Sequence, residues 1–258
     1  MFLADRRVER RIVDALRLRS DDCVLEIGAG PGNMTARLAE AAGKVFAVEL
    51  DPRWAGKLRQ MFAEHNRVTI VEADILKIPL DAVARGAGRE RMKVFGNLPY
   101  YITTPCLLHL FDYCDTIEEI TVMVQREVAD RIVAEPDSRD YGLFTIACQY
   151  YTRPKLLFPV SPGAFRHPPQ VESALVRMAV APQQRALGIV DEADFWRWMR
   201  AAFAHKLKTL ANNWKGRCDS DRLRATLSEQ GIDPRVRAEA LPLRHLASLY
   251  RRFCPAGR

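Results

Sequence analysis

Asn97, Leu98, Pro99 and Tyr100 stand in a row behind the apolar run Val94-Phe95-Gly96. Such a run reads as a strand, so the four residues fall at its carboxyl end. Pro99 fixes its own φ and pushes Leu98 toward an extended backbone. The Leu98 carbonyl is then without an obvious ladder partner, and the Asn97 amide points out of the sheet. Tyr100 adds a flat aromatic face beside these two acceptor oxygens. A planar base with an exocyclic amine suits this grouping: stacking holds the ring, and two oxygens receive the two N–H groups. The same four residues also fit a plain strand end closed by a proline turn with Tyr100 packed inside.

A second group lies at the ends of earlier strands. Glu26-Ile27-Gly28-Ala29-Gly30-Pro31-Gly32 is a tight turn whose alternate glycines allow positive φ and close approach of a ligand. The dinucleotide fingerprint needs G-x-G-x-x-G. Here the third glycine, Gly32, comes one residue early and Asn33 takes its place. That spacing disfavours a pyrophosphate and favours a nucleoside cofactor without one. Glu49, 21 residues after Gly28, can accept from both ribose hydroxyls. Asp74, closing Glu72-Ala73-Asp74, can accept from an adenine amine, and Glu26 adds a further carboxylate by the turn. S-adenosylmethionine carries a sulfonium and an ammonium, so an acidic pocket suits it. Any one of these carboxylates alone would pass for an ordinary strand-end charge.

The elements that must position these groups follow from periodicity. Residues 5–18 have helical spacing, and Cys23–Ile27 reads as a buried strand. Asn33–Ala42 is expected to be a helix, 45–50 a strand, 53–64 a helix and 68–73 a strand. A looser loop then leads to the strand ending at Asn97. Beyond it come a helix at 105–113, a strand at 119–125, a helix at 126–134, a helix or strand at 144–151 and a strand at 155–160. Residues 171–180 close the sheet, in one reading antiparallel to a neighbour. The alternation predicts an α/β fold with a doubly wound parallel sheet and ligands at the carboxyl ends of its strands. A linker at 181–190 precedes a helical appendage, so two domains are expected, 1–185 and 186–258.

Net charge is +7 over 258 residues. Residues 201–258 hold 12 Lys/Arg and 5 Asp/Glu, whereas residues 1–200 hold 27 of each. All the excess is in the last segment, which suits a polyanion such as nucleic acid or simply a solvated basic surface. Apolar residues are 48% of the chain, and no run reaches the roughly 20 residues of a membrane span. Six cysteines are scattered without a C-x-x-C pair, which argues against a metal site or disulfide framework and fits a reducing cytoplasm. His109, His167, His205 and His245 show neither metal nor triad spacing.

With these residues in view, the chain resembles the ribosomal RNA adenine N6-dimethyltransferases. The resemblance rests on Phe2-Leu3-Ala4-Asp5, the 26–32 turn, Val48-Glu49-Leu50-Asp51, Glu72-Ala73-Asp74-Ile75-Leu76 and Asn97-Leu98-Pro99-Tyr100. It continues through 124–131, Tyr141-Gly142, the motif from Phe165 to Ser173, and Lys206-Leu207-Lys208-Thr209-Leu210. It implies a Rossmann-like class I methyltransferase sheet, S-adenosylmethionine as cofactor, and transfer to N6 of two adjacent adenosines near the 3′ end of small-subunit rRNA. It also implies a role in small-subunit biogenesis, a cytoplasmic monomer, and no membrane or metal. By resemblance, Leu3 borders the cofactor, Phe165 covers the second face of the target base, and the basic helical domain meets RNA. Family members carry Gly-Gln-Asn before Phe-Leu, where this chain has Met1 at the Asn position; their Arg-Arg-Lys reads Lys206-Leu207-Lys208 here. Two rivals share these features: a resistance-type enzyme acting on large-subunit rRNA, and a non-catalytic ribosome-assembly factor.

Overall fold

The computed structural model describes residues 2–86, 88 and 90–254, so Met1 lies outside the described residues. In chain order the elements are α1 (Arg6–Leu16), β1 (Cys23–Ile27), α2 (Asn33–Ala41), β2 (Lys44–Glu49), α3 (Pro52–Met61), β3 (Val68–Glu72), α4 (Leu80–Gly86) and β4 (Met92–Asn97). There follow α5 (Thr103–Phe111), β5 (Ile117–Gln125), α6 (Arg126–Val133), α7 (Leu143–Tyr151), β6 (Thr152–Val160) and β7 (Ser173–Val180). The helices α8 (Glu192–Ala202), α9 (Leu210–Asn213), α10 (Ser220–Glu229) and α11 (Leu243–Phe253) complete the chain. Residues 144–151, open between helix and strand from their pattern, are helical. The expected loose loop before β4 contains a short helix, α4, too brief for its periodicity to stand out.

The seven strands lie in the order β3-β2-β1-β4-β5-β7-β6. β1 pairs in parallel with β2 and β4, β2 with β3 and β4 with β5, while β5 and β7 run antiparallel. The order reverses between β1 and β4, where the two chain directions diverge and a crevice opens at the strands' carboxyl ends. Burial explains why these strands are short and apolar: β1 is buried along its whole length, and β4 along all but its last residue, Asn97. One charged pair is admitted beneath the site. Lys93 on β4 donates to Asp22 Oδ2 at 2.7 Å and to the Arg17 carbonyl at 3.0 Å, so a buried ammonium meets a carboxylate and a peptide oxygen.

The chain divides into two compact units: 1–129 with 153–180, and 130–152 with 181–258. The expected single cut at 185 therefore needs correction. Residues 130–152 belong with the helices because Tyr141, Ile146 and Tyr150 are buried in the same apolar cluster as Phe195, Trp198, Trp214, Leu246 and Tyr250. Tyr150 stacks on Phe195 at 5.3 Å, and the Tyr141 hydroxyl donates to the Leu241 carbonyl at 3.1 Å. Ile146 and Tyr150 of α7 join this core directly. Among the described residues no helix is long and apolar enough to cross a membrane.

Candidate active site

The glycine turn joins β1 to α2 and adopts the strained shape its composition allows. Gly28, Gly30 and Gly32 have φ of 75°, 53° and 87°, a region L side chains rarely enter. The three differ in what they leave room for. A Cβ on Gly28 would stand 4.0 Å from the Asn97 carbonyl oxygen, so here the ends of β1 and β4 come together. A Cβ on Gly30 would collide with the Phe2 ring. A Cβ on Gly32 would strike Leu58 at 2.8 Å, so this glycine serves packing of the turn against α3. For Gly32, expected among the cofactor contacts, the side a Cβ would occupy faces Leu58 and Phe62.

Three of the acidic strand ends are held in fixed orientations. Glu49 Oε2 accepts from the Gly30 amide at 2.8 Å and Oε1 from the Asp51 amide at 2.9 Å. A carboxylate has about four acceptor sites, so two remain for a diol. Asp74 Oδ1 accepts from the Leu76 amide at 3.0 Å and caps the turn after β3. Glu26 is wholly buried on β1, and its Oε2 accepts the Thr35 hydroxyl at 2.5 Å. Burial and the nearby charge of Glu49 push its carboxyl up to about 7, against the opposing Thr35 hydrogen bond.

Leu3, Glu26, Gly28 and Asn97 line one small cavity of about 30 Å³, with Asn33 and Phe95. Gly30, Gly32, Glu49, Asp74, Leu98, Tyr100 and Phe165 lie outside it. Asn97 thus borders the same space as the buried carboxylate. The Leu98 amide donates to the Met123 carbonyl at 3.1 Å, so β4 keeps its ladder one residue past Asn97. The Leu98 side chain is buried and folds back on Gly96, where a Cβ would meet it at 2.8 Å. Pro99 turns the chain into the short 3-10 turn Tyr100–Ile102, and its carbonyl accepts from the Ile102 amide at 3.1 Å. Tyr100 is half-buried, and its hydroxyl is buried without a hydrogen-bond partner.

Phe165 departs from expectation. Its ring is only 4% exposed and belongs to the apolar cluster that includes Leu3, Met34, Phe95 and Leu175. In this structure it offers no open face to a base. Its backbone serves as a clasp instead. Leu3 and Phe165 form an antiparallel bridge, the Arg166 amide donates to the Phe2 carbonyl at 2.9 Å, and the Ala4 amide to the Ala164 carbonyl at 2.8 Å. This ladder clamps Phe2 and Leu3 over the glycine turn, and Asn33 Nδ2 reaches the Leu3 carbonyl at 3.5 Å. Apolar burial wins here because an aromatic ring loses more by exposure than an unliganded stack returns.

Residue-by-residue reading passed over Thr35, Phe2 and Leu50. Thr35 looks like any small helix residue until the fold brings it under Glu26. Leu50 is 61% exposed between Glu49 and Asp51, an apolar surface at a strand end where a flat ring could lie. Its signal was present, an apolar residue between two carboxylates. Among the described residues no group of three or more His, Cys, Asp or Glu is arranged to hold a metal.

The positive-φ glycines, the acceptors at the ends of β1, β2 and β3, and exposed Leu50 fit a nucleoside with a cationic tail. Comparison with known proteins identifies the family. The model of the family described as ribosomal RNA adenine dimethylase matches residues 1–254. A protein of Acidobacterium capsulatum named ribosomal RNA small subunit methyltransferase A is 42% identical over 251 residues, covering 97% of this chain and 88% of the relative. A protein of the same name from Streptococcus pneumoniae is 39% identical over 255 residues, covering 96% and 88%. Among solved structures, a dimethyladenosine transferase from Plasmodium falciparum superposes with a TM-score of 0.81 at 21% identity, over 98% of this chain and 97% of that one. The 23S rRNA methyltransferase ErmE superposes with a TM-score of 0.74 at 25% identity, over 98% and 99%. The sheet order, the strand-end carboxylates and a match running from α1 to α11 lead to one conclusion: the chain belongs to the ribosomal RNA adenine dimethylase family.

Proposed function

We propose that this protein transfers methyl groups from S-adenosylmethionine to N6 of two adjacent adenosines near the 3′ end of small-subunit rRNA, as a cytoplasmic monomer acting during subunit assembly. The observation that supports this reading most is the cavity that Glu26, Gly28 and Asn97 line together, at the ends of β1 and β4. The six cysteines are all free thiols, as a reducing compartment allows.

Glu49 would hold the ribose hydroxyls, Asp74 the adenine amine, and Leu50 one face of the adenine. Glu26 and the 28–32 turn would face the cationic end, with Leu3 closing it. Bound there, the cofactor supplies a methyl group on a sulfonium, a good leaving group. What the protein must add is the presentation of a poor nucleophile. The lone pair of an adenine N6 is delocalised into the ring. Asn97 Oδ1 and the Leu98 carbonyl would accept its two hydrogens, which favours a pyramidal nitrogen with the lone pair directed at the methyl. Tyr100 would stack on the everted base. The proton that N6 gives up on accepting the methyl would pass to water. Positioning rather than base catalysis carries the rate.

Asn97→Ala tests this. Transfer of labelled methyl to small subunits lacking the modification should fall by two orders of magnitude or more, with cofactor affinity within a few-fold of wild type. Turnover near wild type would remove Asn97 from its role. Mapping the labelled nucleotide separates this substrate from large-subunit rRNA.

A further inference from the structure

Tyr100 and Tyr101 are neighbours with opposite fates. The hydroxyl of Tyr100 is buried, whereas Tyr101 is 81% exposed, among the most exposed large apolar residues described. A single exposed ring is ordinary on a protein surface, so what sets Tyr101 apart is its place beside the proposed pocket and its apolar neighbours. It is not isolated. Pro105 and Leu108 are also exposed, and at spacings of four and three they continue one face of α5 from Tyr101. This uncharged strip begins one residue after the stretch proposed to hold the target base.

We infer that Tyr101 is a second stacking platform, outside the pocket, for the nucleobase next to the everted adenine on the same strand. The inference rests on the proposed adenine site. An everted nucleotide leaves a gap in its stack, and the base beside the gap loses a neighbour. An exposed ring one residue from the pocket replaces that lost face. On a 3-10 turn successive side chains point roughly 120° apart, so Tyr100 can be half-buried while Tyr101 stands in solvent. The pairing fits a reaction on two adjacent adenines, because the base waiting its turn would occupy the outer platform. Stacking is blind to base identity, so the platform would bind the neighbour whether or not it is already methylated.

The test uses small subunits lacking the modification and the full-length protein. Tyr101→Ala should raise KM for subunits by roughly 5- to 150-fold, the worth of one base–aromatic stack. Tyr101→Phe should stay within about two-fold of wild type, since the ring and not the hydroxyl stacks. Cofactor affinity and thermal midpoint should not move, and the salt dependence of subunit binding should keep its slope because no phosphate contact is lost. In subunits reconstituted with an rRNA lacking the base beside the target, wild type should lose the same factor and Tyr101→Ala nothing more. Additive losses would overturn the platform and indicate a contact elsewhere, including one to a ribosomal protein. Unchanged KM in Tyr101→Ala, with wild type still methylating subunits, would sink this inference alone. Failure of wild type to methylate them would sink the function it rests on.

Discussion

A carboxyl buried like that of Glu26 binds its proton more tightly than one in water, and the sign of the effect can be worked out. Its ordinary value of 4.5 is raised to about 7 in the folded chain, first by burial and then by Glu49. Below pH 4.5 it is protonated in both folded and unfolded chains. Between 4.5 and 7 only the folded chain keeps the proton, so stability falls as pH rises through this window. Above 7 the folded state carries the full cost of an ionised buried carboxylate, roughly 3 kcal/mol for such a shift. A cation placed beside it reverses the preference and drives the proton off. Titration calorimetry with S-adenosylmethionine at pH 6.5, in buffers of different ionisation enthalpy, should therefore show release of a proton. The release should fade above pH 8 and vanish in Glu26→Gln. Proton-neutral binding by wild type at pH 6.5 would mean that Glu26 does not face the cationic end of the cofactor.

At the scale of elements, the ladder between residues 2–5 and 164–166 holds the lip of the site, with Phe165 as its buried anchor. Removing most of a buried aromatic side chain costs about 3–5 kcal/mol. Phe165→Ala should lower the denaturation midpoint accordingly and weaken cofactor binding through loosening of Leu3. Unchanged stability with loss of methyl transfer alone would restore the ring to a substrate platform. The sheet was legible in the sequence because its strands are apolar runs ended by chemistry: Glu26, Glu49, Asp74 and Asn97 each close or overhang one. Even the antiparallel β7 could be anticipated. Two things were not legible. Whether Phe165 faces a ligand or the core depends on tertiary packing against Leu3 and Phe95, which no local pattern encodes. The helical character of α7 was hidden because a run buried on all sides, such as Phe144-Thr145-Ile146-Ala147-Cys148, has no polar face to reveal its period.

At the scale of the whole molecule, charge is legible in sum but its place shifts with the fold. The helical unit gathers residues 130–152 and 181–258, with 17 Lys/Arg against 12 Asp/Glu, a net of +5; the sheet unit has 22 against 20, a net of +2. The acidic residues of 130–152 dilute the tail's excess, so a few exposed cations matter more than the bulk field. Lys206 and Lys208 flank Leu207, which is 82% exposed, on the connection between α8 and α9. Lys206 Nζ donates to the Arg139 carbonyl at 3.1 Å, a neutral partner that leaves its charge uncompensated. If this connection meets the phosphate backbone, each lysine displaces one condensed counterion. The log–log salt dependence of binding to unmodified small subunits should then lose about 0.7–0.9 of slope per lysine removed. The double variant Lys206→Ala/Lys208→Ala should bind more weakly at low salt and converge on wild type at high salt, with cofactor affinity unaltered. Parallel salt plots for variant and wild type would show that RNA is held by another face of the helical unit.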